Sequence, residues 1–131
     1  MVYDESGVEY VIKRIAYAVS NGRYRIAINE NRKKNAVFLE MYRELMPETE
    51  NILMSLTTKD YVQTVQNRKI GFEDERLHIF GPKVPLTKFS EDLEEDIVIY
   101  IKVNIIEKAI NDFVIVVSFH EAEHSMNYPF K

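Results

Sequence analysis

Asp96 to His124 reads DIVIYIKVNIIEKAINDFVIVVSFHEAEH. Two apolar runs, Ile97–Ile106 and Phe113–Glu121, flank the polar link EKAIND. Both runs are rich in Val and Ile, which suit a pleated, half-buried surface. The link has the length and polarity of a hairpin loop. Strand side chains alternate between faces. Ile99, Ile101, Val103 and Ile105 therefore fall on one side, and Tyr100, Lys102 and Asn104 on the other. In the return run, alternation groups Phe113, Ile115, Val117 and Phe119 against Val114, Val116, Ser118 and His120. The two apolar sets then join in one core, and the opposite face collects Tyr100, Lys102, Ser118 and His120. Such a row is what a solvated sheet face carries. It is also a phenol, a cation, a hydroxyl and an imidazole within reach of one ligand.

Upstream of the hairpin, the run SEDLEED ends a loop-like stretch that begins at the Gly81-Pro82 break. Its carboxylates lack the spacing and glycine of an EF-hand and read as a solvated loop. Leu77–Phe80 reads as a short strand after a charged loop, Gly71–Arg76. Tyr61–Lys69 reads as a polar strand with Thr64, Gln66 and Arg68 on one face, entered from a turn at Thr57–Asp60. Before it the pattern is helical. Val8, Val11, Ile12, Ile15 and Val19 recur at helical spacing over residues 7–20, with a capping box at Ser6–Glu9 and a stop at Gly22. Part of Gly22–Ile28 reads as extended. Asn35 reads as the N-cap of a second helix reaching Met46, with Phe38, Met41, Tyr42 and Leu45 on one face. Pro47 ends it and opens a third helix, Glu48–Leu56. Ser125–Lys131 reads as a tail that packs back on the sheet. The expectation is a single α+β domain, residues 1–131, with two or three N-terminal helices on an antiparallel sheet.

The chain has 131 residues, no cysteine and a formal net charge of −4. Disulfides, thiol catalysis and Cys metal sites are excluded, and the composition is compatible with the cytoplasm. No apolar run is long enough to span a bilayer, so no membrane partner is expected. An acidic balance disfavours indiscriminate nucleic-acid binding, so RNA would need a local basic face. The most basic segment carries Arg23, Arg25, Arg32, Lys33 and Lys34. It reads as a solvated loop and helix entry, or as a surface for phosphates or an acidic partner.

His120-Glu121-Ala122-Glu123-His124 matches the zinc-peptidase pattern H-E-x-x-H. That chemistry requires a helix, which brings both histidines to one metal. In a strand the two would stand about 13 Å apart. The preceding FVIVVSF argues for strand, so a metal site is not expected here.

Taken in order, several segments resemble the MqsR-type toxins of bacterial toxin–antitoxin systems, which share a RelE-like fold. Ser55-Leu56-Thr57-Thr58 is similar to that family's S-M-T-T segment, and Gln66 follows at the spacing of its glutamine. Ile99-Tyr100-Ile101-Lys102 resembles its Tyr-Lys strand, and Val117-Ser118-Phe119-His120-Glu121 its last strand. The helix-then-glycine opening, Val11 to Gly22, is similar too, whereas residues 70–96 look like an insertion. Met54 and His120 stand where the family has lysines. The resemblance implies a cytoplasmic, metal-independent endoribonuclease that needs no cofactor, cuts mRNA and is neutralised by a cognate antitoxin. It implies Gln66, Tyr100 and His120 as site residues. Lys102 joins them from the face sorting, and Arg68, Arg23 and Arg25 are the expected RNA contacts.

Metal-free RNA cleavage needs a base for the ribose 2′-OH, an acid for the leaving oxygen and positive charge for the phosphorane. An imidazole suits the proton transfers and a lysine the charge. A tyrosine can stack on a base, and a glutamine can orient its neighbours. The alternative is a non-catalytic binding protein on the same fold, motivated by Met54 and the acidic balance.

Overall fold

A computed structural model describes all 131 residues. Its order is α1 (Glu5–Ser20), β1 (Tyr24–Ile26), α2 (Lys33–Met41), α3 (Leu45–Met54), β2 (Tyr61–Gln66), β3 (Arg76–Phe80), β4 (Lys83–Thr87), β5 (Glu94–Glu107) and β6 (Asp112–Glu121). This is the expected α+β fold with three N-terminal helices. The sheet runs β1-β6-β5-β3-β2, with β4 also on β5. Every pairing is antiparallel except β1 on β6.

β5 organises the rest. Its 14 residues extend about 45 Å. β6 lines one edge along most of that length. The other edge is shared, with β4 on residues 94–98 and β3 on residues 101–104. The chain passes from β3 to β4 at Gly81-Pro82, where the Ile99 amide donates to the Pro82 carbonyl at 2.9 Å. The tail crosses there: Tyr128 donates its hydroxyl to the Gly81 carbonyl at 2.7 Å. A methyl group on Gly81 would sit 2.5 Å from Met126 Cε, so the crossing uses the missing side chain. Phe130 then stacks on Tyr61, and the tail packs back as the sequence suggested.

The helices cover one face. Val8, Val11, Ile15 and Val19 of α1, Phe38 and Leu39 of α2, and Leu45, Ile52 and Leu53 of α3 bury against Ile97, Ile99, Ile101, Val103, Val114, Val116 and Phe119. Each such side chain contributes roughly 1.5–3 kcal/mol relative to exposure.

The register of β6 departs from simple alternation. Lys102 faces Ser118, but Val103 faces Val116, so Val117 is an extra residue in a bulge. Before the bulge, Val114 and Val116 enter the core; after it, Phe119 does. The expected grouping of Val114 and Val116 with Ser118 and His120 is therefore wrong, although Ser118 and His120 do lie on the open face.

Other boundaries move for identifiable reasons. The α1 cap is Asp4, whose carboxylate accepts from the Gly7 amide at 2.8 Å, rather than Ser6. Asn35 is not a cap; it lies inside α2 with its side chain buried. α2 stops at Tyr42, which turns extended and bridges Lys88, so Pro47 falls in the first turn of α3. The stretch expected as loop holds β4, with Pro85 on the edge strand where its missing N–H is tolerated. Residues 70–96 are no appendage, since β3 lies between β5 and β2.

Candidate functional site on the open sheet face

Tyr100 and His120 face each other across β5 and β6. Their rings stack with centroids 5.3 Å apart and planes 16° from parallel. Lys102 lies two residues along β5, so its side chain shares the face, with Nζ 5.8 Å from the centre of the Tyr100 ring. The turn Glu30–Arg32 brings Arg32 near enough for its charge to act on both Tyr100 and Lys102. Burial pushes the Tyr100 hydroxyl above the usual phenol value, and the charge of Arg32 opposes that rise. Burial holds the Lys102 ammonium below the usual lysine value, and Arg32 lowers it further.

His120 Nδ1 lies 3.0 Å from the carbonyl oxygen of Glu121. A carbonyl only accepts, so Nδ1 carries the hydrogen and Nε2 of the neutral ring keeps its lone pair. Three hollows meet at this imidazole. One, about 310 Å³, is lined only by polar residues, 30–35 with His120. A second, about 250 Å³, lies against Tyr100, His124 and Met126. The third, about 310 Å³, opens between the side of α2 and the end of β6. Glu121 lines it, and Tyr42 donates to Glu121 Oε1 at 3.3 Å. The Tyr42 phenol is pushed up to about 12 by burial, with the carboxylate of Glu121 adding to the rise, so it stays a donor.

α2 opens with Lys33 and Lys34 and has no side-chain cap at Arg32. Cations at the positive end of a helix are unfavourable by roughly 0.3–1 kcal/mol each. The arrangement is locally unstable, and an anion would relieve it. Lys34 is partly neutralised by an ion pair with Glu123.

A buried asparagine holds the basic turn against the sheet. Asn35 Nδ2 donates to the Ala27 carbonyl at 2.7 Å and to the bulge carbonyl of Val117 at 3.0 Å. Its Oδ1 accepts the Phe119 amide at 2.9 Å.

Of the residues expected from the sequence, Tyr100, Lys102 and His120 come together. Gln66 does not. It ends β2 opposite Arg76, with its side chain toward the helix side and Nε2 donating to the Glu73 carbonyl at 2.7 Å. Counting rows and strands puts it roughly 20 Å from Tyr100. Arg68 is exposed in the loop after β2, on the same far side. Arg23 is tied into the scaffold, with Nε donating to the Asp112 carbonyl at 3.1 Å and its guanidinium over the Tyr17 ring. Arg25 does lie on the open face, beside Ile115, but some five residues along β6 from His120. In place of Gln66 the structure supplies Arg32, with His124 lining one hollow.

The H-E-x-x-H residues begin in the strand β6 and continue without a helix, so the two histidines do not share a helical face. No three His, Asp or Glu side chains are grouped as metal ligands. No helix is long and apolar enough to cross a membrane. Comparison with known proteins finds no matching family model and no match among curated proteins or solved structures.

Proposed function

We propose that this chain is a metal-independent endoribonuclease that cuts mRNA on the open face of the β5–β6 hairpin, and the toxin partner of a cognate antitoxin. The observation that carries the reading is the stacked Tyr100–His120 pair with Lys102 and Arg32 around it. The ordered resemblance to MqsR-type toxins supports it independently of that geometry, though Gln66 lies outside the cluster.

In this reading His120 Nε2 takes the proton of the ribose 2′-OH. The 2′ oxygen attacks the adjacent phosphorus, and the P–O5′ bond breaks. Lys102 and Arg32 stabilise the charge on the phosphorane oxygens. Lys102, whose proton is loosened by burial and by Arg32, protonates the departing 5′ oxygen. The products are a 2′,3′-cyclic phosphate and a 5′-hydroxyl. Tyr100 stacks on a neighbouring base. An RNA with one cut site tests this: a single 2′-deoxy sugar at that site should abolish cleavage, and the ends should be cyclic phosphate and 5′-hydroxyl. Cleavage of the deoxy substrate, or 5′-phosphate ends, refutes the mechanism.

The exposed Val37 and Met41 beside the basic turn favour one second reading, a binding protein that captures a partner there without cutting RNA. Reversing Arg32, Lys33 and Lys34 to Glu abolishes capture in that case, with no RNA cleavage by the wild type.

A further inference from the structure

The hollow between α2 and the end of β6 is not needed for the proton transfers described above, yet it opens directly at His120. Phe38 is its buried floor, Val37 and Met41 are apolar walls left open to solvent, and Lys33 and Lys34 stand on its rim. At about 310 Å³ it lies at the small end of ligand pockets, roughly 300–1,000 Å³, so it suits one flat heterocycle. Apolar and aromatic walls provide stacking and dispersion contacts, and ammonium groups on the rim match a phosphate attached to the ring. Two carboxylates also line the pocket, and one of them, Glu123, is paired with Lys34. Glu121 is exposed and accepts from Tyr42 through Oε1, which leaves Oε2 free to accept from a ligand.

We propose that this hollow is the base-selecting subsite of the ribonuclease, and that Glu121 makes it favour bases bearing an exocyclic amino group over uracil. The inference rests on the nuclease reading for its substrate class. An amino group donates to the carboxylate. Uracil presents a single N–H between two carbonyl oxygens, and those oxygens face the carboxylate unfavourably. A pocket that reads a base by hydrogen bonding discriminates by leaving its polar group unpaired in the wrong complex. His120 lines the same hollow, so a base seated there places its own ribose and phosphate at the imidazole. Glu121 is therefore a specificity residue and takes no part in bond breaking.

The test is direct binding of AMP, GMP, CMP and UMP, each as the 3′-monophosphate, followed by NMR of the full chain and by calorimetry. AMP, GMP and CMP should shift the Phe38 and Met41 signals and bind at least roughly tenfold more tightly than UMP. Glu121→Gln supplies a donor as well as an acceptor, so it should reduce that preference below about threefold. Val37→Trp, at an exposed position, should fill the slot and weaken all four nucleotides. Equal affinity for UMP in the wild type overturns the proposal, as does saturation by any nucleotide without a shift at Phe38 or Met41. Binding with the expected preference but no RNA cleavage would keep the subsite and remove the nuclease. Cleavage at all bases alike would do the reverse.

Discussion

Asn35→Leu should destabilise the protein by about 3 kcal/mol and disable the site in the molecules that still fold. The side chain is almost fully buried, at 1% exposure, and completes three backbone groups at once: the Ala27 and Val117 carbonyls and the Phe119 amide. Leucine has the same branched shape with somewhat larger end groups, so the change removes hydrogen bonds without opening a cavity. A buried backbone group left unpaired costs about 1–3 kcal/mol. Relaxation and water entry recover part of three such losses, which leaves about 3 kcal/mol, or more than a hundredfold in the folding equilibrium. Asn35→Asp should be worse, because a carboxylate would face two carbonyl oxygens. The assay is urea unfolding, read as a lower midpoint at unchanged slope. RNA cleavage, measured where the variant remains folded, should also fall. The same bonds fix the bulge that turns Ser118 and His120 to the open face and hold Arg32 beside Lys102. A loss of less than about 1 kcal/mol for Asn35→Leu would refute the claim that this residue clamps the turn to the sheet.

Three further expectations can be checked separately. Lys102→Met should lower cleavage by about 10²–10³-fold with little effect on the urea midpoint, since the ammonium is assigned to transition-state charge; an unchanged rate removes Lys102 from the mechanism. His78 is buried on the helix side of the sheet, with Nδ1 2.9 Å from Thr64 Oγ1, and burial lowers its pKa to about 4. The unfolded chain takes up that proton near pH 6.5 and the folded chain does not, so stability is full above that pH and falls toward pH 4. Between pH 7 and 4.5 the wild type should lose roughly 2–3 kcal/mol more than His78→Asn does, by urea unfolding at each pH. Asp112→Asn should cost about 1–2 kcal/mol at pH 7, because Arg14 holds that carboxylate through two bonds of 2.8 and 2.9 Å and keeps its pKa below the usual range. That difference should shrink as the pH falls through the Asp112 titration, and a pH-independent difference would assign the cost to packing.

The hairpin that organises the sheet was legible because Val and Ile alternate with Tyr100, Lys102 and Asn104 along a run too long to misread. The same logic failed in β6. A bulge at Val117 adds one residue, and every residue on that strand is apolar enough between 113 and 117 to sit on either face. β4 was hidden because Pro85 and the flanking carboxylates suppress strand character, while pairing to β5 supplies the hydrogen bonds locally absent from the pattern. Of the site, Tyr100, Lys102 and His120 could be grouped because one pairing joins them. Arg32 could not be added, because its approach depends on the parallel β1–β6 pairing and on Asn35. The charge of the 23–34 segment was visible, but its distribution between scaffold and site was not: Arg23 is tied to Asp112 and Arg32 reaches Tyr100. Gln66 was placed by spacing in a resembling motif, and spacing along one strand says nothing of which strands lie between.

The central claim is that this face cuts RNA through His120 without a metal. Purified wild type and His120→Ala, each incubated with a defined mRNA in excess EDTA, test it most directly, with ribosomes supplied in a parallel reaction. Discrete cleavage by the wild type should survive chelation and be lost in the variant. Equal cleavage by both proteins, cleavage abolished by EDTA and restored by a divalent metal, or no cleavage by the wild type in either reaction would contradict it.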